Sequence, residues 1–262
     1  MMNFHEFMRM MNIILTNDDG ILAPGLHVLH NVFSDNHNVV ILAPDRERSA
    51  VGHGITLREP VRIEKVKFNG MGTGYAVSGT PADCIKMGAP LFFGGKPDLV
   101  ISGINPGSNM GANLNYSGTV AAAREAALLG FPAIAVSIHS RNVKHYDTAA
   151  EFTMKLSNDV RRFGLPYGTF LNVNVPDLPM EEIRCVRVNR HRIGLHADSI
   201  EKRTDPRNRE YYWYGIEPQA LTEEKDTDSD AVASGCISVT PVKTDMTDYK
   251  MMKEMDGWSI LT

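Results

Sequence analysis

The sequence predicts an α/β protein: a Rossmann-like, mainly parallel sheet with helices on both faces, plus a C-terminal β-rich arm or extension. Short apolar runs recur along the first two-thirds, as in strands buried inside a sheet. Helical segments stand between them, which implies parallel strands joined by crossovers. The runs end in loops rich in Asp, Asn, Ser and Gly, at the edge where such sheets carry their sites.

Residues 12–16 (NIILT) read as a buried strand that ends at Asn17-Asp18-Asp19-Gly20. Residues 24–33 carry a helical pattern, with Leu26, Leu29, Val32 and Phe33 on one side. Residues 39–43 (VVILA) form the second strand, ending at Pro44 and the polar loop 45–49. The alternation of 60–68, the turn-rich 70–74 and the run 75–77 predict a hairpin. A short helix over 81–88 starts at Pro81, where a missing N–H costs nothing. Residues 98–102 (DLVIS) are a third buried strand, which enters the Gly/Asn/Pro-rich loop 103–115. An Ala-rich helix over 120–129 is closed by Gly130. Strand 133–137, helix 149–163 and strand 170–175 follow.

Beyond Pro176 the character changes. Residues 183–188 and 235–240 read as strands, whereas 189–228 shows no clear period. That stretch holds Tyr211, Tyr212, Trp213 and Tyr214, and adjacent aromatics are costly to leave in water. They favour an arm that packs on another subunit, with a cap or a solvated charged hairpin as the alternatives. The expected division is an N-terminal extension over 1–10, a core over 11–180, and an arm with strands over 181–262.

The 262 residues carry a formal charge of −4, so a broad nucleic-acid-binding face is not expected. Cys84, Cys185 and Cys236 are odd in number and widely spaced. They suggest neither a zinc site nor a disulfide framework, but reduced thiols in a cytoplasmic protein. No apolar run approaches the roughly 18 residues of a membrane span. The opening MMNFHEFMRM is not a signal peptide, and Met11 offers an alternative start.

The chemistry concentrates in three loops that a doubly wound sheet opens on one edge. They bear Asp18 and Asp19; Asp45, Arg46, Arg48 and Ser49; and Asn105, Ser108 and Asn109. Adjacent carboxylates repel, and a hard divalent cation such as Mg²⁺ removes that penalty. Ser49 and Asn105 offer neutral oxygens to complete its shell. Asp-Gly is also an ordinary turn signal, and Ser49 and Asn105 are equally ordinary loop residues. Ser117-Gly118-Thr119 precedes the Ala-rich helix, where backbone N–H groups bind anions or hydroxyls simply cap the helix. Ser78-Gly79-Thr80-Pro81 repeats that arrangement, as an anion site or a loop former. His53 lies near the presumed site, more readily as a structural residue than as an acid.

Dinucleotide, Walker A, nucleophile-elbow and zincin signatures are absent. A nucleotide- or metal-sensing binding protein without turnover would use the same groups. An oxidoreductase is disfavoured by the missing glycine fingerprint.

Together these blocks resemble the SurE family of stationary-phase survival proteins, which are metal-dependent nucleotidases. The resemblance is carried by 11–20 (MNIILTNDDG), 43–50 (APDRERSA), 52–56 (GHGIT) and 78–84 (SGTPADC). It continues through 97–100 (PDLV), 102–105 (SGIN), Gly107, Asn109 and 116–122 (YSGTVAA). It spans roughly residues 11–140, is loose beyond, and departs at the extra segment 1–10.

The resemblance implies a Rossmann-like domain with one divalent ion, Mg²⁺ or Mn²⁺, on Asp18, Asp19, Ser49 and Asn105. It places phosphate near Ser117, Gly118 and Thr119, with Asn109 close by. Asp18, Asp19 and Asn105 are then the catalytic residues. The implied reaction is hydrolysis of nucleoside 5′- and 3′-monophosphates, and of short polyphosphate. The implied assembly is a homodimer or homotetramer formed through the C-terminal extension, with no nucleic-acid polymer or membrane as partner.

Overall fold

Strands that send alternate apolar side chains into two layers set the architecture. A computed structural model describes residues 10–68, 72–193, 199–215 and 224–258. In β1 (Asn12–Thr16), Ile13 and Leu15 enter one core layer and Ile14 the other. Both faces are covered, so the strand shows no polar alternation. Helix α1 (Pro24–Ser34) and β2 (Asn38–Pro44) follow, then the antiparallel pair β3 (Ile63–Phe68) and β4 (Gly72–Val77). Residues 69–71 of the expected hairpin lie outside the described residues. Next come α2 (Pro81–Gly88), β5 (Leu99–Pro106), α3 (Gly118–Leu128), β6 (Ala133–His139), α4 (Tyr146–Phe163) and β7 (Thr169–Pro176).

The C-terminal third adds β8 (Cys185–Val188), β9 (Ser199–Thr204), β10 (Glu210–Gly215), α5 (Asp228–Ala233), β11 (Cys236–Lys243) and α6 (Tyr249–Met255). Among the described residues, nine strands form one sheet in the order β3-β4-β2-β1-β5-β6-β7-β11-β8, and β9 pairs with β10 separately. From β4 to β7 the neighbours run parallel. Helices α1 and α4 cover one face, and α2 and α3 the other. The expected α/β fold is therefore present, together with a separate antiparallel hairpin.

Several boundaries differ from the sequence reading. Strand β5 runs on past Gly103 through an irregularity between Ser102 and Asn105, so Asn105 stands at a strand end. Helix α4 begins at Tyr146 and α3 at Gly118, each earlier than periodicity suggests. The stretch read as aperiodic contains the β9–β10 pair, whose alternating charges form cross-strand and along-strand ion pairs such as Lys202–Glu210 and Arg203–Glu201. Tyr211, Tyr212 and Trp213 on it are exposed.

The cysteine expectation needs correction. Cys185 and Cys236 sit opposite one another in the parallel β8–β11 pair and form a disulfide. A separation of 51 residues hides an adjacency that only strand pairing creates. Cys84 is free and buried. Among the described residues no helix is long and apolar enough to cross a membrane.

One close approach seats α1 on the sheet. A Cβ on Gly25 would stand 2.2 Å from the Ile104 carbonyl oxygen and 3.0 Å from the Tyr146 ring. Gly25→Ala should therefore push α1 off β5 and destabilise the fold by about 1–3 kcal/mol. The expected readout is a lower urea midpoint at unchanged slope. An unchanged midpoint would show that the contact carries no weight.

Candidate active site

Strand β1 lies between β2, reached through α1 on one face, and β5, reached later through α2 on the other. The strand order thus reverses at β1, and a crevice opens beyond the carboxyl ends of β1 and β5. Three polar segments meet there: 17–20 after β1, 45–49 after β2, and the end of β5 with the loop behind it. Asn17 shapes the first. Its Oδ1 accepts from Gly20 N at 3.2 Å and its Nδ2 donates to Gly20 O at 3.0 Å, closing a tight turn over the two aspartates. Gly20 takes φ +99°, and a Cβ there would meet the Arg46 carbonyl carbon at 3.1 Å. Glycine is thus required where the two loops touch.

Asp18 is only 5% exposed. Its Oδ1 accepts the Thr119 hydroxyl, and the backbone N–H groups of Gly118 and Thr119 are aimed at the same carboxylate. The N-terminus of α3 therefore holds Asp18 as it would hold a bound anion. A Cβ on Gly118 would lie 2.7 Å from the Asp18 Cβ, so only glycine lets the helix come this close. Burial raises the Asp18 pKa above the ordinary carboxylate value, and these hydrogen bonds pull it partly back. Arg48 N donates to Asp18 O at 2.7 Å and ties the β2 loop to the same point.

Asp19 is placed differently. Its Oδ2 is buried and has no hydrogen-bond partner among the described residues. Burial, then the charges of Asp18 and Glu47, push its pKa up to about 7. A buried carboxylate oxygen left unpaired is costly, and a cation is the group that would satisfy it. The neighbouring donors are all oxygens, which suits a hard divalent ion better than zinc. Asn105 donates through Nδ2 to Gly107 O, leaving its Oδ1 without a partner among the described residues. Ser49 is exposed, and its hydroxyl donates to Glu47 Oε1 at 2.6 Å. The residues present therefore fit a divalent cation, with Ser49 turned to Glu47 in this structure.

The residues expected at the phosphate are engaged within the protein. Ser117 caps α3, accepting from Val120 N at 3.1 Å, and Thr119 is spent on Asp18. Asn109 is buried. Its N–H donates to Asn174 Oδ1 and its Nδ2 to Ser137 Oγ, both at 2.8 Å, while its carbonyl accepts from Asn172 and Asn174.

Asn172, Asn174 and Ser137 were not singled out from the sequence, although two asparagines in the fully buried strand β7 (TFLNVNVP) were the available signal. Glu47 and Tyr146 were missed as well. The Tyr146 phenol is pushed up by burial, then by the charges of Asp19 and Asp177. No local pattern connects α4 with β1.

Two open readings resolve towards structure. Thr80 and Asp83 form a capping box on α2, and the Thr80 hydroxyl donates to Gly54 O at 2.8 Å, so this segment shapes a loop. His53 Nε2 contacts Glu125 Oε2 at 2.8 Å, and Lys86 reaches the other oxygen at 3.0 Å. Glu125 is buried, so the pair anchors the 52–54 loop to α3.

The raised Asp19 carboxyl binds its proton more tightly in the folded state than in the unfolded one. Stability of the metal-free protein should therefore fall as pH rises from about 4 to about 7 and stay lower above that. In EDTA, Asp19→Asn should raise the melting temperature at pH 8 by several degrees, at roughly 2–4 °C per kcal/mol. At about pH 3, where Asp19 is largely protonated in both states, the change should nearly vanish. Equal changes at both pH values would exclude charge repulsion as the cause.

Comparisons with known proteins identify the family. The family model described as "Survival protein SurE" matches residues 13–196. A protein of Desulfatibacillum aliphaticivorans named 5′-nucleotidase SurE is 52% identical over 251 residues, covering 95% of this chain and 99% of that one. One of Heliobacterium modesticaldum with the same name is 47% identical, covering 95% and 92%. The crystal structure of the SurE protein from Aquifex aeolicus superposes with a TM-score of 0.82 at 38% identity, covering 93% of this chain and 98% of that chain. The family model over residues 13–196, the similarity over 95% of the chain and the shared fold show one family: the chain belongs to the SurE family.

Proposed function

We propose that this chain is a divalent-metal-dependent 5′-nucleotidase, which hydrolyses nucleoside 5′-monophosphates to nucleoside and phosphate. Nucleoside 3′-monophosphates and short polyphosphate are proposed as further substrates. The observation that carries the reading is the buried, unpartnered Asp19 oxygen beside Asp18 at the strand-order reversal. The relatives' names support the substrate class.

Asp18 and Asp19 would hold Mg²⁺ or Mn²⁺, with Ser49 and Asn105 contributing neutral oxygens. Such an ion supplies Lewis-acid chemistry: it neutralises charge on the phosphoryl group and makes water more acidic. The protein's own part is positioning. Thr119 and the α3 N-terminus hold the Asp18 carboxyl in place and offset part of the cost of burying it. Asn105, at the end of β5, is placed to stabilise charge on equatorial phosphoryl oxygens. Asn109, pinned by Asn172 and Asn174, fixes the loop behind it. Ser117 and Gly118 shape the helix start against which the phosphate rests.

The proposed assembly is a homodimer or homotetramer through the C-terminal part, where Tyr211, Tyr212 and Trp213 lie exposed on β10. A nucleotide substrate favours the cytoplasm, against which the Cys185–Cys236 bond stands as the opposing feature.

The test is phosphate release from a panel of nucleoside monophosphates after EDTA treatment, with Mg²⁺ or Mn²⁺ restored. Release should require the metal. Asp18→Asn should lower it by about a hundredfold or more, the several kcal/mol of charge stabilisation that a metal supplies, with unchanged circular dichroism. A fully active Asp18→Asn enzyme would remove the metal assignment. No turnover with any metal would leave a binding protein.

A further inference from the structure

We infer that Tyr116 is the stacking platform for the nucleobase, and thus a specificity-determining residue of this site; the inference rests on the nucleotidase reading above. Tyr116 directly precedes Ser117, the N-cap of the helix that holds Asp18. It is 57% exposed, and its hydroxyl makes no hydrogen bond among the described residues. Single exposed aromatics are ordinary on protein surfaces, so exposure alone means little. The backbone is what sets this one apart. Tyr116 N–H donates to Asn113 O at 3.0 Å, and its carbonyl accepts from Gly52 N–H at 2.9 Å. The residue is therefore fixed from both sides while its ring meets solvent.

The same contact joins the loop after β2 to the segment that leads into α3. Gly52 belongs to the segment that follows Ser49, and a Cβ on it would stand 3.2 Å from Asn115 O, so the two segments are seated on one another. Val51 and Ile55, on either side of this junction, are 36% and 40% exposed. Exposed apolar side chains thus flank the junction between the β2 loop and the start of α3.

Distance favours a nucleobase as the occupant. Only Ser117 separates Tyr116 from Gly118, at most about 7 Å of chain, a gap that a ribose spans when its phosphate rests at the helix start. Stacking on a π-face does not read base edges, so it tolerates different bases. The site should therefore rank nucleotides weakly by base while preferring them over a phosphate ester that lacks one.

The experiment compares AMP with ribose 5-phosphate as substrates at saturating Mn²⁺, for the full-length protein and its Tyr116→Ala and Tyr116→Phe variants. One stacked base is worth about 1–3 kcal/mol, or roughly 5- to 150-fold. The kcat/KM ratio of AMP over ribose 5-phosphate should fall by that factor in Tyr116→Ala, mainly through KM for AMP. Tyr116→Phe should retain the wild-type ratio. A parallel loss on both substrates would mean that Tyr116 only shapes the helix start, and would overturn the inference. An unchanged ratio would overturn it too, as would a wild type that handles both substrates equally well while remaining a phosphatase. A wild type that hydrolyses neither would sink the nucleotidase reading itself and the inference with it.

Discussion

The contact between the N-terminus of α3 and the Asp18 carboxylate organises this molecule. Asp18 stands at the end of β1, the strand about which the sheet order reverses, and α3 begins a hundred residues later. Burying a carboxylate is expensive unless donors surround it. Here the Thr119 hydroxyl and the first amides of the helix provide them, with the helix dipole acting in the same sense. The arrangement requires glycine at 118, because any side chain would displace the carboxylate. Through it the β1 loop, the β2 loop and α3 share one origin, and the site inherits its rigidity from the sheet.

Next to this satisfied carboxylate lies one that is not satisfied. Asp19 has a buried oxygen without a donor and faces like charges from Asp18 and Glu47. Locally consistent sequences avoid such conflicts, and where they persist they mark function. Asn109, Asn172, Asn174 and Ser137 exchange hydrogen bonds beside it. Neutral groups such as Asn172 Oδ1 and Ser102 Oγ are also buried without a partner among the described residues, but an unpaired carboxylate oxygen is the costlier case.

The C-terminal third obeys different rules. Strand β11 returns antiparallel to β7 and closes the parallel series, and β8 completes that edge across the Cys185–Cys236 bond. Asp228, fully buried in α5, accepts from Gly111 N at 2.8 Å and from Arg192 N at 3.1 Å. This third is thus fastened to the loop behind Asn109. The β9–β10 pair stands apart from the main sheet, with Tyr211, Tyr212 and Trp213 exposed.

From the sequence alone, the alternating core was readable because its strands are short apolar runs and its helices carry periodic faces. The three polar loops were readable for the same reason: they interrupt that pattern with residues that have no packing role. Asp18, Asp19, Ser49 and Asn105 could be singled out, and so could the start of α3. What local pattern could not carry was any relation across sequence distance. It did not show that Thr119 spends its hydroxyl on Asp18, that Asn174 holds Asn109, that Glu47 acts on Asp19, or that Asp19 acts on Tyr146. It did not show that Cys185 and Cys236 meet, because their adjacency is a product of strand register. The β9–β10 pair escaped too, since charged alternation without a buried face looks like loop. Composition and periodicity determined the layers and the chemistry available at their edge. Only the tertiary structure decided which carboxylate is satisfied and which is left for a ligand, because that depends on burial and on partners far apart in the chain.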